Sequence, residues 1–156
     1  DRLHVRYDAA LASLELQFAL RAEAIAEALG EGYVDPVSSQ LMTRALLVRR
    51  SGASINVAAE SELSALLREV VEAHDGLVAP GELQQELRSA CNRVEFAHQF
   101  LNEAADAANA VRQRPLVKRL GLAGHTAYPS RIQCDVRPPD FADGPLPETA
   151  PANDSR

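Results

Sequence analysis

The chain has 156 residues, which at roughly 100–200 residues per domain leaves room for one folded domain with a sizeable core. Hydrophobic residues make up 46% but aromatics only 4%, Trp is absent and alanine occurs 27 times; this suits packed helices and counts against a β-sandwich, which needs aromatic and β-branched side chains. With 22 acidic against 16 basic residues the net charge is −6, so nucleic acid is not expected as a partner, because binding phosphate calls for net positive charge.

The first helix begins by Leu3. Tyr7, Leu11, Leu14, Phe18, Ile25 and Ala28 recur four and three apart, as on one face of an amphipathic helix, until Gly30 and Gly32 stop it. Arg21 interrupts that stripe at a core position. A cation there is costly unless paired, so an ion pair with a Glu of another helix is expected. Asp35 then Pro36 reads as a cap and a first-turn proline, and a shorter second helix follows over 37–50, with Val37, Leu41, Ala45 and Val48 on one side. Asn56 opens a third, with Leu63, Leu66, Leu67, Val70 and Val71 as its buried stripe and Gly76 beyond its last turn.

After Pro80 comes the longest pattern: Leu83, Leu87, Ala90, Val94, Ala97, Leu101, Ala104, Ala108 and Val111 alternate by four and three. Such a seam requires a partner helix of similar length, and only the first helix qualifies. Asn92, Asn102 and Asn109 lie on this helix although Asn is a mediocre helix former; Asn102 and Asn109, one heptad apart, are placed to hydrogen-bond a neighbouring helix and fix its register. Pro115 breaks the helix. The expected architecture is all-α: an antiparallel bundle of three to four helices over residues 1–137, with the two long helices as its spine. Residues 138–156 are Pro-rich and carry Asp140, Asp143, Glu148 and Asp154 against Arg156, so a disordered acidic tail is expected.

Chemistry-bearing motifs are missing. No glycine-rich phosphate loop or nucleophile elbow occurs, and His4, His74, His98 and His125 are scattered without metal-ligand spacing. Neither a catalytic residue, a metal nor a cofactor is expected. Cys91 and Cys134 are too few for a disulfide framework and read as free thiols. Between Asp106 and Asp135 there is no acidic residue, while Arg112, Arg114, Lys118, Arg119 and Arg131 form a basic patch, suited either to a helix C-terminus or to an anionic surface. Fifteen of the 16 basic residues are Arg, which together with the alanine excess points to a GC-rich, bacterial coding sequence.

The stretch Asn92-Arg93-Val94-Glu95-Phe96-Ala97-His98-Gln99-Phe100-Leu101-Asn102-Glu103-Ala104-Ala105-Asp106-Ala107-Ala108-Asn109, followed by Pro115-Leu116-Val117-Lys118-Arg119-Leu120-Gly121-Leu122, resembles the C-terminal helix of the LemA family, and Ala10, Gln17 and Arg21 fit that family's first helix. The resemblance covers less than half of the chain. Residues 33–80 do not look like the family, and Cys91, His98, Leu101 and Ala108 stand where it usually has Glu, Arg and aromatics.

The resemblance implies a single-pass membrane anchor upstream of residue 1, a helical bundle beyond it and no enzymatic activity. With antiparallel spine helices, Arg112 to Arg119 end near Arg2, His4 and Arg6, a positive end suited to anionic lipid headgroups on the cytoplasmic face of a bacterial cell membrane. The expected function is a non-enzymatic interaction or scaffold protein of the cell envelope with a protein partner. The alternative is a small-ligand-binding or enzymatic bundle with a polar interhelical site around Arg21, Asn102 and Asn109.

Overall fold

The structure is a computed structural model and describes residues 2–52, 54–73, 77–113 and 129–141. The described residues hold four helices, α1 (Arg2–Gly30), α2 (Pro36–Arg49), α3 (Val57–Glu72) and α4 (Gly81–Arg112), and no strand beyond a single bridge pair, so the protein is an all-α helical bundle. Each helix begins where the local chemistry allows. The Asp35 carboxylate accepts from the N–H groups of Val37 and Ser38 with Pro36 in the first turn, and the Asn56 side chain accepts from the Ala59 N–H. At the other end of α1, Gly32 turns the chain with φ near +74°, a conformation that is cheap only without a Cβ.

Helices α1 and α4 form the most extensive interface. They run antiparallel: Ala24, Ile25 and Ala28 share a core with Leu83, Leu87 and Cys91, whereas Ala10, Leu14 and Phe18 share another with Val94, Leu101 and Ala104. The start of α1 therefore lies beside the end of α4. The alanines of the α4 seam, Ala90, Ala104 and Ala108 among them, are buried and let the two backbones approach closely. Helices α2 and α3 form a hairpin whose Met42, Ala45, Leu63, Leu67 and Val70 cover the first of these cores. The α1–α2 and α3–α4 connections are tied by the bridge of Val34 with Leu77 and by the Val78 N–H donating to the Tyr33 carbonyl at 2.9 Å.

Two features differ from the sequence expectation. On α2 the buried residues are Met42 and Ala45, while Val37, Leu41 and Val48 are exposed. With Val37, Leu41, Met42, Ala45, Leu46, Leu47 and Val48 spread around so short a helix, periodicity selects no single face. The second difference concerns the chain beyond the helices. Residues 129–141 run as an extended strap over the helices, and their Pro129, Val136, Pro139 and Phe141 are buried. The packed chain thus continues through Phe141, beyond the boundary expected at residue 138, because Phe141 inserts into the core formed by Leu83, Leu87 and Val70. Residues 142–156, the remainder of the expected disordered tail, lie outside the described residues.

Candidate functional site

Between the two apolar cores of the spine lies a polar centre built on Arg21. Its guanidinium is 2% exposed and meets α3, with Nη2 donating to the Glu60 carboxylate at 2.8 Å and Nη1 to the Ser64 hydroxyl at 2.7 Å. The other Glu60 oxygen accepts from Nε of Arg49 on α2 at 2.7 Å. The ring of Phe18, one turn before Arg21, lies 5.2 Å from the guanidinium carbon, in range for a cation–π contact. One carboxylate thus neutralises two cations from two other helices, and the partner of Arg21 is a Glu of a neighbouring helix. Glu60 itself reads in the sequence as a first-turn acid favoured by the helix dipole, so nothing marked it as buried.

At the surface beside this centre is a cavity of about 170 Å³ lined by Glu15, Phe18, Arg49, Ile55 and Glu60 among others. Ligand pockets for drug-sized molecules run to roughly 300–1,000 Å³, so this space suits a few waters. A larger groove of about 530 Å³ lies between α1 and α2, lined by Ala22, Ala26, Leu46 and Leu47 with Arg49 and Arg50. Neither is lined by Arg21, Asn102 or Asn109.

The asparagines of α4 hold the strap instead of a neighbouring helix. The Asn102 amide pairs with the backbone of Ile132 on both sides, its oxygen accepting from the N–H at 3.0 Å and its nitrogen donating to the carbonyl at 3.3 Å. The Asn109 amide donates to the Pro129 carbonyl at 3.0 Å. Nε2 of His98 is 2.6 Å from the Ile132 carbonyl, which only accepts, so that nitrogen carries the proton. Asn92 is exposed on α4 and takes no part. The α3 side of the strap is fastened by the Ser61 hydroxyl, which accepts from the Asp135 N–H at 3.1 Å, and by Arg68, which binds the Asp135 carboxylate at 2.6 Å and the Arg137 carbonyl at 2.9 Å. Arg88 donates to the Phe141 carbonyl at 2.8 Å and lies over its ring.

Known families, curated proteins and solved structures give no match to this chain.

Of the basic residues expected at the end of α4, Arg112 closes the helix, but its side chain, together with Arg114, Lys118 and Arg119, lies outside the described residues. Arg131 pairs with Asp106 at 3.3 Å on the surface, both side chains more than half exposed. No group of three or more His, Cys, Asp or Glu among the described residues is arranged to hold a metal, and no helix among them is long and apolar enough to cross a membrane.

Hydrogen bonds from Arg137 and Arg68 hold the Asp135 carboxyl down at about 2, below its ordinary 3.8. Its ionised form therefore stabilises the fold at any pH above the unfolded value, and that contribution is lost as the pH falls from about 4 through about 2. Urea unfolding measured across this range should show a shallower pH dependence for Asp135→Asn than for the native chain; parallel curves would exclude the fastening role. Burial pushes the Cys91 thiol up to about 11, the Arg21 charge opposing it, and burial also raises half-buried Cys134, which contacts the Ser61 hydroxyl at 3.4 Å. A disulfide reagent at pH 8 is expected to consume Cys134 first and to reach Cys91 only under unfolding conditions. Equal rates in native buffer would contradict the burial of Cys91.

Proposed function

We propose that this protein is a non-enzymatic, helical interaction module of the bacterial cell envelope, held at the cell membrane by a segment upstream of residue 1 in the manner of the LemA family that it resembles. The observation that carries the reading is the use made of its polar residues. Arg21, Asn102 and Asn109, the groups that a ligand site between helices would need, direct most of their hydrogen bonds to Glu60, Ser64 and the strap, with only Nε of Arg21 and Oδ1 of Asn109 buried without a partner. Large apolar side chains also face outward: Val37, Leu41, Leu47 and Val48 on α2, and Phe96 and Phe100 on α4, at 69% and 44% exposure. Such outward apolar residues suit protein contact better than catalysis.

The antiparallel spine supports the membrane side of the reading. It brings the C-terminal part of α4 beside the start of α1, which carries Arg2 and Arg6 and is the end at which the anchor would enter; Arg114, Lys118 and Arg119 follow α4 in the sequence. Anionic lipid headgroups on the cytoplasmic face are the contact proposed for this end.

Cell fractionation of the full-length protein tests the anchor: retention in the membrane after an alkaline wash, with release by detergent, is expected, and release by the wash alone would refute it. Flotation of the chain with vesicles tests the basic end. Binding should need anionic lipid and weaken with salt; binding indifferent to both would remove the headgroup contact.

A further inference from the structure

The strap is held in an unusual way for a segment of its own chain. The groups that contact it address its main chain: Asn109 takes the carbonyl of residue 129, Tyr7 that of residue 130 at 3.0 Å, Asn102 both backbone groups of residue 132, and Arg88 the carbonyl of residue 141. Main-chain groups at these positions are offered by any extended polypeptide, and reading them by side chains fixed on helices is a way of binding peptides. The strap's own side chains supply the selectivity. Ile132 and Val136 pack on the core of Leu14, Phe18 and Leu101, Phe141 enters the core of the other half, and Asp135 meets Arg68.

Its ion pairs are partly open to water. The Asp135 carboxylate is one third exposed, the Arg131–Asp106 pair more than half, and exposed ion pairs add little net stability in water. Although Pro129, Val136, Pro139 and Phe141 are buried, the strap has no helical hydrogen bonds of its own, so it is expected to open before the helices beneath it.

We propose that the groove between α3 and α4 is a receptor for an extended peptide, occupied here by residues 129–141 and able to take in their place a partner protein's segment of the same chemistry. That segment presents an apolar residue, an Asp three positions later, an apolar residue directly after it and an aromatic five further on, as Ile132, Asp135, Val136 and Phe141 do. The inference rests on the reading of the protein as an interaction module and names where the partner docks. Arg68 favours an acidic residue at the position of Asp135, and Asp106 a basic one at that of Arg131.

The test uses the full chain and a fluorescent peptide of residues 129–141 with Ser at the position of Cys134. A chain with its own strap weakened by Asp135→Ala and Phe141→Ala should bind the peptide about tenfold or more tightly than the native chain does, since the competing segment is loosened. A scrambled peptide should not bind, and adding Asn102→Ala to the weakened chain should cut affinity by about tenfold, the scale of a lost hydrogen-bonded pair. Circular dichroism checks that the helices persist; if the double variant loses them, Asp135→Ala alone serves.

A helical, weakened chain that ignores the peptide, or that binds the scrambled one equally, overturns the proposal. Light scattering that shows the weakened chain as a dimer closed to the peptide also overturns it, the occupant then being a second copy. Failure of the peptide with intact membrane retention of the full-length protein refutes the groove alone. Peptide binding with loss of that retention refutes the anchored reading instead.

Discussion

Replacing Glu60 by alanine is expected to cost about 3–5 kcal/mol, because it strands the buried Arg21 guanidinium without a counter-charge and frees Arg49 as well. A single domain of this size has roughly 5–15 kcal/mol in total, so the variant should unfold at a much lower urea concentration. Removing Arg21 instead is expected to cost less, since Glu60 keeps Arg49 at 2.7 Å. The combination Arg21→Met with Glu60→Leu should recover most of the loss, as apolar replacements of buried pairs commonly do. A double-mutant cycle of Arg21→Met, Glu60→Leu and the two together reads this directly by urea unfolding: the combined cost should fall well below the sum of these single ones, and a purely additive result would show that the pair is not coupled.

The second large effect is at Phe18. Its ring is 1% exposed, packs in the core with Leu14, Val94 and Leu101, and lies against the Arg21 guanidinium, so Phe18→Ala should cost about 3–5 kcal/mol through the cavity and lost burial. Phe96 provides the contrast. At 69% exposure, Phe96→Ala should stay within about 0.5 kcal/mol of the native chain. Comparable losses at the two positions would mean that the α4 face carrying Phe96 is covered in solution.

The helices were legible in the sequence because local chemistry and long-range packing agree there: Gly30, Pro36, Asn56 and Pro80 punctuate the chain close to where the elements change, and the seams of α1 and α4 follow the helical period for many turns. The misplaced core at Arg21 announced a buried ion pair for the same reason. Its partner was not legible, since Glu60 near the start of α3 has an ordinary explanation in the helix dipole.

The face of α2 failed because its apolar residues encircle it. The strap was missed at its far end because it has neither helical nor strand periodicity, and its prolines suggest loose chain. The hint lay elsewhere, in Asn102 and Asn109 one heptad apart: two amides on one stripe of a helix suit the backbone of an extended segment, whereas a neighbouring helix has already paired its own peptide groups.

The pairing of the first long helix with the last has a consequence for how this chain comes to be folded. Apart from its contacts to the α2–α3 hairpin and the strap, the apolar face of α1 is buried against α4, whose residues begin some fifty positions after α1 has ended. The α2–α3 hairpin closes over a short connection and can form as soon as it is made, whereas the spine must wait for nearly the whole chain and must close a long loop to form. During synthesis α1 therefore emerges with Leu14 and Phe18 uncovered, and the chain is most exposed to aggregation before α4 appears. Pulse-labelled hydrogen exchange during refolding should accordingly protect α2 and α3 ahead of α1; simultaneous protection would mean that the two long helices find each other first.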